Sequence, residues 1–227
     1  MSVVPAQMPY IISHKESFSN VVAFLLGGSS IDDRLWNRIA ESGLNAWESY
    51  GMTETASHIA LRCIKGNSAS RPRFVPMNGI GISVSEDECL KITDEDIVVK
   101  TNDLVKIFKD GSFLIKGRKD DMIITGGLKV LPSEIESVLA PYLKNTAKDF
   151  FITSEPHEVW TSSIVLVLVP LNNGLVENSQ QGNELKENIQ KIIDSISEKE
   201  LPSRFRPKRI RLLPELPLTR SGKLIRI

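Results

Sequence analysis

The sequence predicts a mixed α/β protein: an α/β segment and a small β-rich region, followed by a small α+β domain. Before residue 71, short apolar runs alternate with amphipathic ones, which is typical of strands alternating with helices. From about Arg71, short strands with turn signals follow. After about Asp120, strands and helices alternate over roughly one hundred residues, a usual domain size. We therefore place a domain boundary near Asp120, between residues 1–119 and 120–227.

Two predicted strands of the first segment each lead into a polar loop. Residues 21–26 are expected to form a buried strand that ends at Gly27-Gly28-Ser29-Ser30, and residues 45–49 a second strand that enters a loop at Tyr50-Gly51. Residues 32–42 between them have apolar side chains at helical spacing and are followed by a glycine, which fits a helix end. In an open α/β sheet, ligands bind beyond the carboxyl ends of the strands, so both loops are candidate ligand contacts.

The rest of the chain contains recognisable turn and helix signals. The β-rich region has turn signals at Asn78-Gly79, residues 85–88 and Lys109-Asp110-Gly111. Further on, a proline and a carboxylate mark a helix start near Ser133. The remaining predicted elements are strands near residues 149–153 and 163–169, a polar loop over 171–183, a helix over about 184–197, and a strand over 209–213.

The composition argues against several classes of function. Lys plus Arg equals Asp plus Glu at 28 each, so no overall field exists to hold nucleic acid or an anionic membrane. The longest apolar run, residues 164–169, is too short to span a bilayer. Cys63 and Cys89 lie far apart without a C-x-x-C partner, which favours two reduced thiols over a disulfide or a zinc site. The sequence predicts a soluble, cytoplasmic protein without a nucleic-acid partner.

The segment Tyr50-Gly51-Met52-Thr53-Glu54-Thr55 combines the groups that a phosphate site needs. A glycine turn lets the backbone approach a phosphate, a threonine hydroxyl donates to it, and a neighbouring carboxylate can hold Mg²⁺. The alternative is a surface turn in which Thr53 caps a helix beginning near Thr55. The segment resembles the signature loop of the acyl-adenylate-forming superfamily. This resemblance implies catalytic roles for Thr53 and Glu54, with Glu54 as the metal ligand.

A second candidate is Thr101-Asn102-Asp103, expected just before a pair of strands. It resembles the T-G-D element of the same superfamily, whose aspartate accepts hydrogen bonds from both ribose hydroxyls. A carboxylate offers the paired acceptors that a vicinal diol needs. Asn102 replaces the usual glycine, and asparagine tolerates positive φ well enough for the turn to persist. The alternative is an ordinary Asn-Asp turn.

The segment from Gly117 to Glu136 resembles the long hinge motif of the superfamily. The resemblance implies that Arg118 contacts the ribose and that the small domain rotates about Asp120. It also implies that Gly126-Gly127 lines the channel for the pantetheine of coenzyme A. Hinges are a few element-terminal residues that absorb the backbone change, and a glycine pair lets a thin ligand pass close to the main chain. The alternative for residues 119–121 is a solvated charged turn.

The end of the chain, Pro217-Leu218-Thr219-Arg220-Ser221-Gly222-Lys223-Leu224-Ile225-Arg226, resembles the terminal lysine element of the superfamily. The resemblance makes Lys223 the catalytic lysine, whose ammonium group stabilises charge at the α-phosphate during adenylate formation. A phosphate-binding P-loop does not fit, because its spacing is not matched. The other alternative is a frayed terminus.

Two further segments fit the same family. Residues 26–31 resemble its glycine-rich loop beside the adenine and acyl pocket, which adds Gly28 and Ser29 to the nucleotide-binding set of Tyr50, Gly51, Met52 and Thr53. The basic stretch 203–210 resembles the segment that precedes the terminal element, and we read it as a surface strand rather than a nucleic-acid patch.

Together the resemblances imply an enzyme that activates a small carboxylic acid with ATP and Mg²⁺ and passes the acyl group to coenzyme A. Residues 2–7 and 54–57 most resemble the o-succinylbenzoate–CoA ligases of menaquinone biosynthesis. A loop that grips the terminal phosphates of ATP is expected well upstream of Gly28, where this chain has no room for it, so we expect the chain to be the carboxy-terminal part of a longer enzyme. The alternatives are an adenylating enzyme with another acid or acceptor and a non-catalytic AMP-binding module. Homo-oligomerisation stays open.

Overall fold

Two β-sheets and two helices make up the first half of the chain. The computed structural model describes residues 1–95, 97–172, 179–219 and 224–226. The strands of the first sheet, in spatial order, are β1 (Ser2–Val3), β2 (Phe24–Leu26), β3 (Ala46–Gly51), β4 (His58–Cys63) and β5 (Val75–Pro76). Those of the second are β6 (Ile80–Val84), β7 (Cys89–Asp94), β8 (Ile97–Ile107) and β9 (Phe113–Arg118).

The first sheet is parallel where the chain alternates between strand and helix. β1, β2 and β3 run parallel, whereas β4 returns antiparallel to β3. The helices here are α1 (Met8–Ser13) and α2 (Asp33–Ser42). α2 begins where the Asp32 side chain accepts a hydrogen bond from the Leu35 amide at 2.8 Å, and it ends at Gly43, whose φ is 78°. Both are specific end signals, which explains why the sequence located this helix correctly.

One face of the parallel strands carries the core of this half. Trp36 and Ile39 of α2 are fully buried against Phe24 and Leu26 of β2. Burying each such side chain contributes about 1.5–3 kcal/mol. The opposite face carries Leu25, Trp47 and Leu61 around an open groove of about 350 Å³, and Trp47 keeps 36% of its surface exposed. Parallel strands are normally covered on both faces, so this apolar face lacks the cover that such strands usually have.

The second half contains two sheets and two helices. Its strands are β10 (Ile123–Thr125), β11 (Leu128–Val130), β12 (Ala147–His157), β13 (Thr161–Pro170) and β14 (Arg209–Leu212), and its helices are α3 (Pro132–Leu143) and α4 (Gln180–Ser195). β13 is central, antiparallel to β12 and parallel to β14. The helices supply Ile135, Leu139, Ile189 and Ile193 to the core on one face of this sheet. On its other face, Leu213, Leu216 and Leu224 pack against a second cluster of Phe151, Val165 and Val167.

The described residues divide into two compact units, Met1–Ile115 and Lys116–Thr219 together with 224–226. Our placement of the boundary near Asp120, with domains 1–119 and 120–227, stays a proposal. Within the described part of the chain, no helix is long and apolar enough to cross a bilayer. Cys63 is half-buried and Cys89 is buried, and both are free thiols.

Three predictions about local structure were wrong. The strand predicted over residues 21–26 is β2, which begins only at Phe24, and Val22 is 86% exposed. The loop predicted over 171–183 is already helical from Gln180, because the Ser179 side chain accepts a hydrogen bond from the Gly182 amide at 3.0 Å and starts α4 there. Residues 173–178 of that loop lie outside the described residues. α4 also ends at Ser195 rather than residue 197, because Ile196 has extended backbone angles.

The uncovered face predicts self-association of this 227-residue chain. Trp47→Lys places a charge in the apolar groove, and we expect it to shift the chain toward monomer, as measured by size-exclusion chromatography with light scattering. Val84→Lys is the matched control, because Val84 is also exposed, at 48%, but lies on the second sheet. An equal effect of the two substitutions would contradict a specific role of this face.

Candidate active site

The loops after β2 and β3 meet at one edge of the first sheet. The two strands are parallel neighbours, so their carboxyl ends lie side by side. The Ser49 hydroxyl of β3 donates to the Leu26 carbonyl of β2 at 2.8 Å. A Cβ on Gly27 would lie 2.7 Å from the same hydroxyl oxygen, so a glycine is needed for this close approach. The structure thus brings the segment of Gly28 and Ser29 next to the end of β3.

Gly51 still belongs to β3, which corrects its expected place in a loop. It pairs with His58 across a β-bulge, and a Cβ there would lie 2.6 Å from the His58 Cα. Gly51 is therefore required by the close packing of two backbone segments. This requirement exists whether or not a phosphate approaches.

Thr53, Glu54 and Thr55 form a single 3-10 turn. The interpretation that Thr53 caps a longer helix was wrong, because Thr55 does the capping. Its hydroxyl accepts from the Met52 amide at 3.1 Å and lies 2.7 Å from the Ser57 carbonyl, to which it donates. Within the described residues, no hydrogen bond engages the Thr53 hydroxyl, and Thr53 and Glu54 are both exposed. The turn therefore presents a hydroxyl and a carboxylate to solvent.

Tyr50 connects this edge to the second sheet. Its ring packs against Phe74 and Phe113, with centroids 5.8 and 5.7 Å away. Its hydroxyl donates to Asp103 Oδ2 at 2.5 Å. The aromatic packing fixes the ring and so aims the hydroxyl at a buried carboxylate. Two residues that are 53 positions apart in the sequence are thereby brought together.

Asp103 lies within β8, so the expectation of a turn before a strand pair was wrong. The pairing of β7 with β8 shifts register between Cys89↔Leu104 and Lys91↔Lys100, so two steps along β7 correspond to four along β8. This β-bulge accommodates Thr101–Asp103 without a positive φ at Asn102. Bulges re-aim side chains, and here Asp103 is buried with only 8% of its surface exposed. The Thr101 hydroxyl accepts a hydrogen bond from the Asp103 amide at 3.1 Å.

A buried ion pair that joins β3 and β4 was not predicted from the sequence. Glu48 on β3 and Arg62 on β4 are directly opposite in register, and their charged atoms lie 2.6 Å apart. The guanidinium also lies over the Phe74 ring at 4.2 Å and the Trp36 ring at 5.1 Å. Burial lowers the pKa of Arg62 from its ordinary value, and the attraction of Glu48 opposes this shift. A carboxylate and an arginine fourteen residues apart have no sequence pattern that links them.

The second unit holds the remaining candidates. Arg118 Nη2 and Asp120 Oδ2 form an exposed ion pair at 2.8 Å, and Asp120 lies in a 3-10 turn, Lys119–Asp121. Gly126 and Gly127, with φ of 55° and 77°, form the two-residue turn between β10 and β11. Positive φ at both positions defines a type I′ turn. Because glycine adopts positive φ readily, this turn accounts for the two glycines. Lys223 lies outside the described residues.

Among the described residues, no group of three or more His, Cys, Asp or Glu side chains forms a metal cluster. Glu54 is thus a single exposed carboxylate. This arrangement fits Mg²⁺, which usually binds through one or two carboxylates together with substrate phosphates and water.

Known proteins resemble this chain in sequence and in fold. Residues 134–223 match the family described as the AMP-binding enzyme C-terminal domain. The matched residues include most of α3, all of α4 and the sheet of β12, β13 and β14.

Relatives extend the similarity along the whole chain. The 2-succinylbenzoate–CoA ligase of Listeria monocytogenes is 27% identical over 247 residues, which covers 100% of this chain and 50% of the relative. The enzyme of that name from Lactococcus lactis is also 27% identical, over 244 residues with the same coverage. The chain therefore spans about half the length of these curated relatives.

Solved structures show the same fold. An acyl-CoA synthetase-like protein from Dyadobacter fermentans is 28% identical with a TM-score of 0.50, and the match covers 98% of this chain and 62% of that one. The o-succinylbenzoate coenzyme A synthetase from Bacillus subtilis, in complex with ATP and magnesium ion, is 19% identical with a TM-score of 0.70, covering 99% and 50%. The predicted fold class and the resemblance to the acyl-adenylate-forming superfamily are confirmed. The roles of the individual site residues stay predictions.

The Glu48–Arg62 pair leads to a test of stability. Glu48→Gln leaves a buried guanidinium without its counter-charge, and we expect a loss of about 3–5 kcal/mol in unfolding free energy. Glu48→Gln combined with Arg62→Met should lose less, because no unpaired charge remains. The losses in unfolding free energy of both variants are measured by urea unfolding, monitored through hydrogen exchange of residues 1–115. Additive losses in the double variant would show that the two side chains do not act as a pair.

Proposed function

We propose that this chain provides the ribose-binding edge and the mobile small domain of an acid–CoA ligase that works through an acyl-adenylate. The observation that carries the proposal is the buried carboxylate of Asp103, held by Tyr50 beside the polar turn of Thr53 and Glu54. We further propose o-succinylbenzoate as the acid, which the names of the relatives support. Free thiols at Cys63 and Cys89 support a reducing, cytoplasmic compartment.

In the first half-reaction, a carboxylate oxygen attacks the α-phosphorus of ATP and pyrophosphate leaves. Asp103 accepts hydrogen bonds from the ribose hydroxyls, and Thr53 donates to the α-phosphate. Glu54 would hold Mg²⁺, and the ion would neutralise phosphate charge. Lys223 stabilises the charge that develops between the attacking carboxylate and the phosphate. Positioning and charge stabilisation supply nearly all catalysis in such chemistry.

In the second half-reaction, the thiol of coenzyme A attacks the acyl carbonyl and AMP leaves. We propose that the small domain turns about Asp120 and withdraws Lys223 between the two steps. Arg118 contacts the ribose in this proposal. In the structure, its side chain forms an ion pair with Asp120. The type I′ turn of Gly126-Gly127 has open space where a Cβ would lie, which supports a passage for the pantetheine arm.

Nucleotide binding is the first test of this function. Asp103→Asn should weaken AMP binding to the 227-residue chain about tenfold or more, since hydrogen bonds to a charged group contribute about 1.5–3 kcal/mol. Calorimetry with AMP and with 2′,3′-dideoxy-AMP measures the effect, and only the unsubstituted chain should distinguish the two ligands. Asp110→Asn is the control, because Asp110 is an exposed acid that bonds to Ser112. If the Asp103→Asn variant binds AMP as tightly as the unsubstituted chain, Asp103 does not bind the ribose.

The effect of replacing Lys223 distinguishes a ligase from a non-catalytic AMP-binding module. The chain is joined to the upstream half of the Listeria monocytogenes relative, and both half-reactions are measured. Lys223→Ala should slow carboxylate-dependent pyrophosphate release by about 10²–10³-fold, the usual cost of losing one charge-stabilising group. Thioester formation from supplied acyl-AMP should stay within a few fold.

Lys148→Ala, at an exposed lysine of β12, is the control for this test. Turnover with a carrier-protein thiol in place of coenzyme A would favour another acceptor. AMP binding without any pyrophosphate release would favour a non-catalytic module.

A further inference from the structure

Two hairpins of the second unit are joined by a backbone hydrogen bond. The turn of Gly126-Gly127 connects β10 and β11, and the Gly126 amide donates to the Trp160 carbonyl at 3.0 Å. Trp160 lies at the tip of the hairpin between β12 and β13. In a two-residue hairpin, the amide of the first turn residue takes no part in the cross-strand hydrogen bonds, so its partner comes from another segment. Here that partner is the Trp160 carbonyl.

The tip between β12 and β13 has a strained backbone. The Ser162 amide also donates to the Trp160 carbonyl, at 2.7 Å, which closes a three-residue turn around Thr161. Thr161 has a φ of 67°, a rare and unfavourable conformation for a β-branched residue. Such a conformation persists only where surrounding contacts enforce it. The direction of the Trp160 carbonyl therefore depends on contacts made by other residues of the tip.

The His157 side chain makes these contacts. Its Nδ1 accepts hydrogen bonds from the amides of Val159 and Trp160, at 3.2 and 3.3 Å. Its ring also stacks on the Trp160 ring, with centroids 4.6 Å apart and planes 11° from parallel. The Val159 side chain is 78% exposed and adds little packing to the tip. The imidazole thus fixes the main chain that leads into the Trp160 carbonyl.

The hairpin of β10 and β11 is held at both of its ends. Ile123 and Val130 pair across its base and are buried in the core of this unit. The Trp160 carbonyl holds the turn at the opposite end. On the outer side of the turn, the space that a Cβ of Gly126 or Gly127 would occupy is open. The main chain of the turn is therefore fixed from one side and accessible from the other.

We infer that His157 is a positioning residue for the passage of the pantetheine arm: its Nδ1 fixes the Trp160 carbonyl, and this carbonyl holds the Gly126-Gly127 turn that borders the passage. The inference rests on the proposed function, in which this turn lines the channel for coenzyme A. A reacting group that is misplaced by 1 Å loses on the order of 100-fold in rate. Loss of the Nδ1 acceptor should therefore slow thioester formation and spare adenylate formation, in which coenzyme A takes no part.

The first test is hydrogen exchange of the Gly126 amide in the 227-residue chain, measured by NMR. His157→Phe keeps an aromatic ring beside Trp160 but has no acceptor, and we expect exchange at Gly126 to rise about tenfold or more. His157→Asn should keep exchange within about threefold, because an asparagine oxygen can accept from amides that follow it in the chain. Unchanged exchange at the buried Val130 shows that the hairpin itself stays folded.

Val159→Ala is the matched control for this test. It shortens an exposed side chain at the same tip and keeps the amide that His157 holds. His157→Ala also removes the acceptor and should behave as His157→Phe does, which covers the case in which the phenyl ring packs badly. Unchanged exchange at Gly126 in both of these His157 variants overturns the inference. An equal rise in His157→Asn overturns it as well, because that variant keeps an acceptor.

The second test measures the two half-reactions in the enzyme joined to the upstream half of its relative. His157→Phe should slow thioester formation from supplied acyl-AMP about tenfold or more, equally with coenzyme A and with pantetheine, and keep pyrophosphate release within about twofold. His157→Asn should restore most of the thioester rate. An equal loss of both half-reactions, or a loss with coenzyme A alone, means that His157 does not act on the pantetheine passage and overturns the inference.

The unsubstituted enzyme separates a failure of this inference from a failure of the proposed function. If it forms no thioester from supplied acyl-AMP, the proposed function as a coenzyme A ligase fails, and the role of His157 in the passage fails with it. If it forms thioester at a rate that His157→Phe leaves unchanged, the proposed function stands and the inference is overturned.

Discussion

The cross-strand pair of Glu48 and Arg62 is the constraint on which the candidate nucleotide edge depends. The two residues face each other in register, so a slip of one residue between β3 and β4 would separate a buried carboxylate from a buried guanidinium. The same register places Tyr50 opposite Ala60 and next to Phe74, from where its hydroxyl reaches Asp103. A charge pair with no direct part in the chemistry thus sets the position of the group proposed to bind the ribose.

In the second unit, the segment near the end of the chain covers one face of the sheet. Its sheet is covered by helices on one face, and Leu216 and Leu224 cover part of the other. Leu224 directly follows Lys223 in the sequence, so the proposed catalytic group adjoins a residue that belongs to this packing. The ion pairs of Arg226 with Asp121 and Glu136 add direction to this hydrophobic contact, because apolar packing alone has no preferred geometry.

The sequence predicted those features whose causes are local. α2 was located because Asp32 and Gly43 are chemically specific ends. The glycine pair at 126–127 was singled out in the sequence, but its two-residue turn between β10 and β11 was not predicted. The bulge at Asp103 was missed because it depends on the register of β7, which lies elsewhere in the sequence. The contact of Arg226 with Glu136 spans 90 residues and depends on the packing of α3 beneath the terminal segment. Motifs therefore identified the candidate groups, whereas tertiary contacts decide how each is held.

The bulge in β8 has a consequence for how such chains can diverge. Because two extra residues are accommodated at Thr101–Asp103, the direction in which the Asp103 carboxylate points depends on the number of residues between Lys100 and Leu104. Asn102 is exposed and its φ is not positive, so the backbone of the bulge does not require glycine or asparagine at this position. A deletion of one residue in this stretch would turn Asp103 to the other side of the strand and away from Tyr50. At this point of the sheet, the number of residues in the bulge is therefore a structural requirement in its own right.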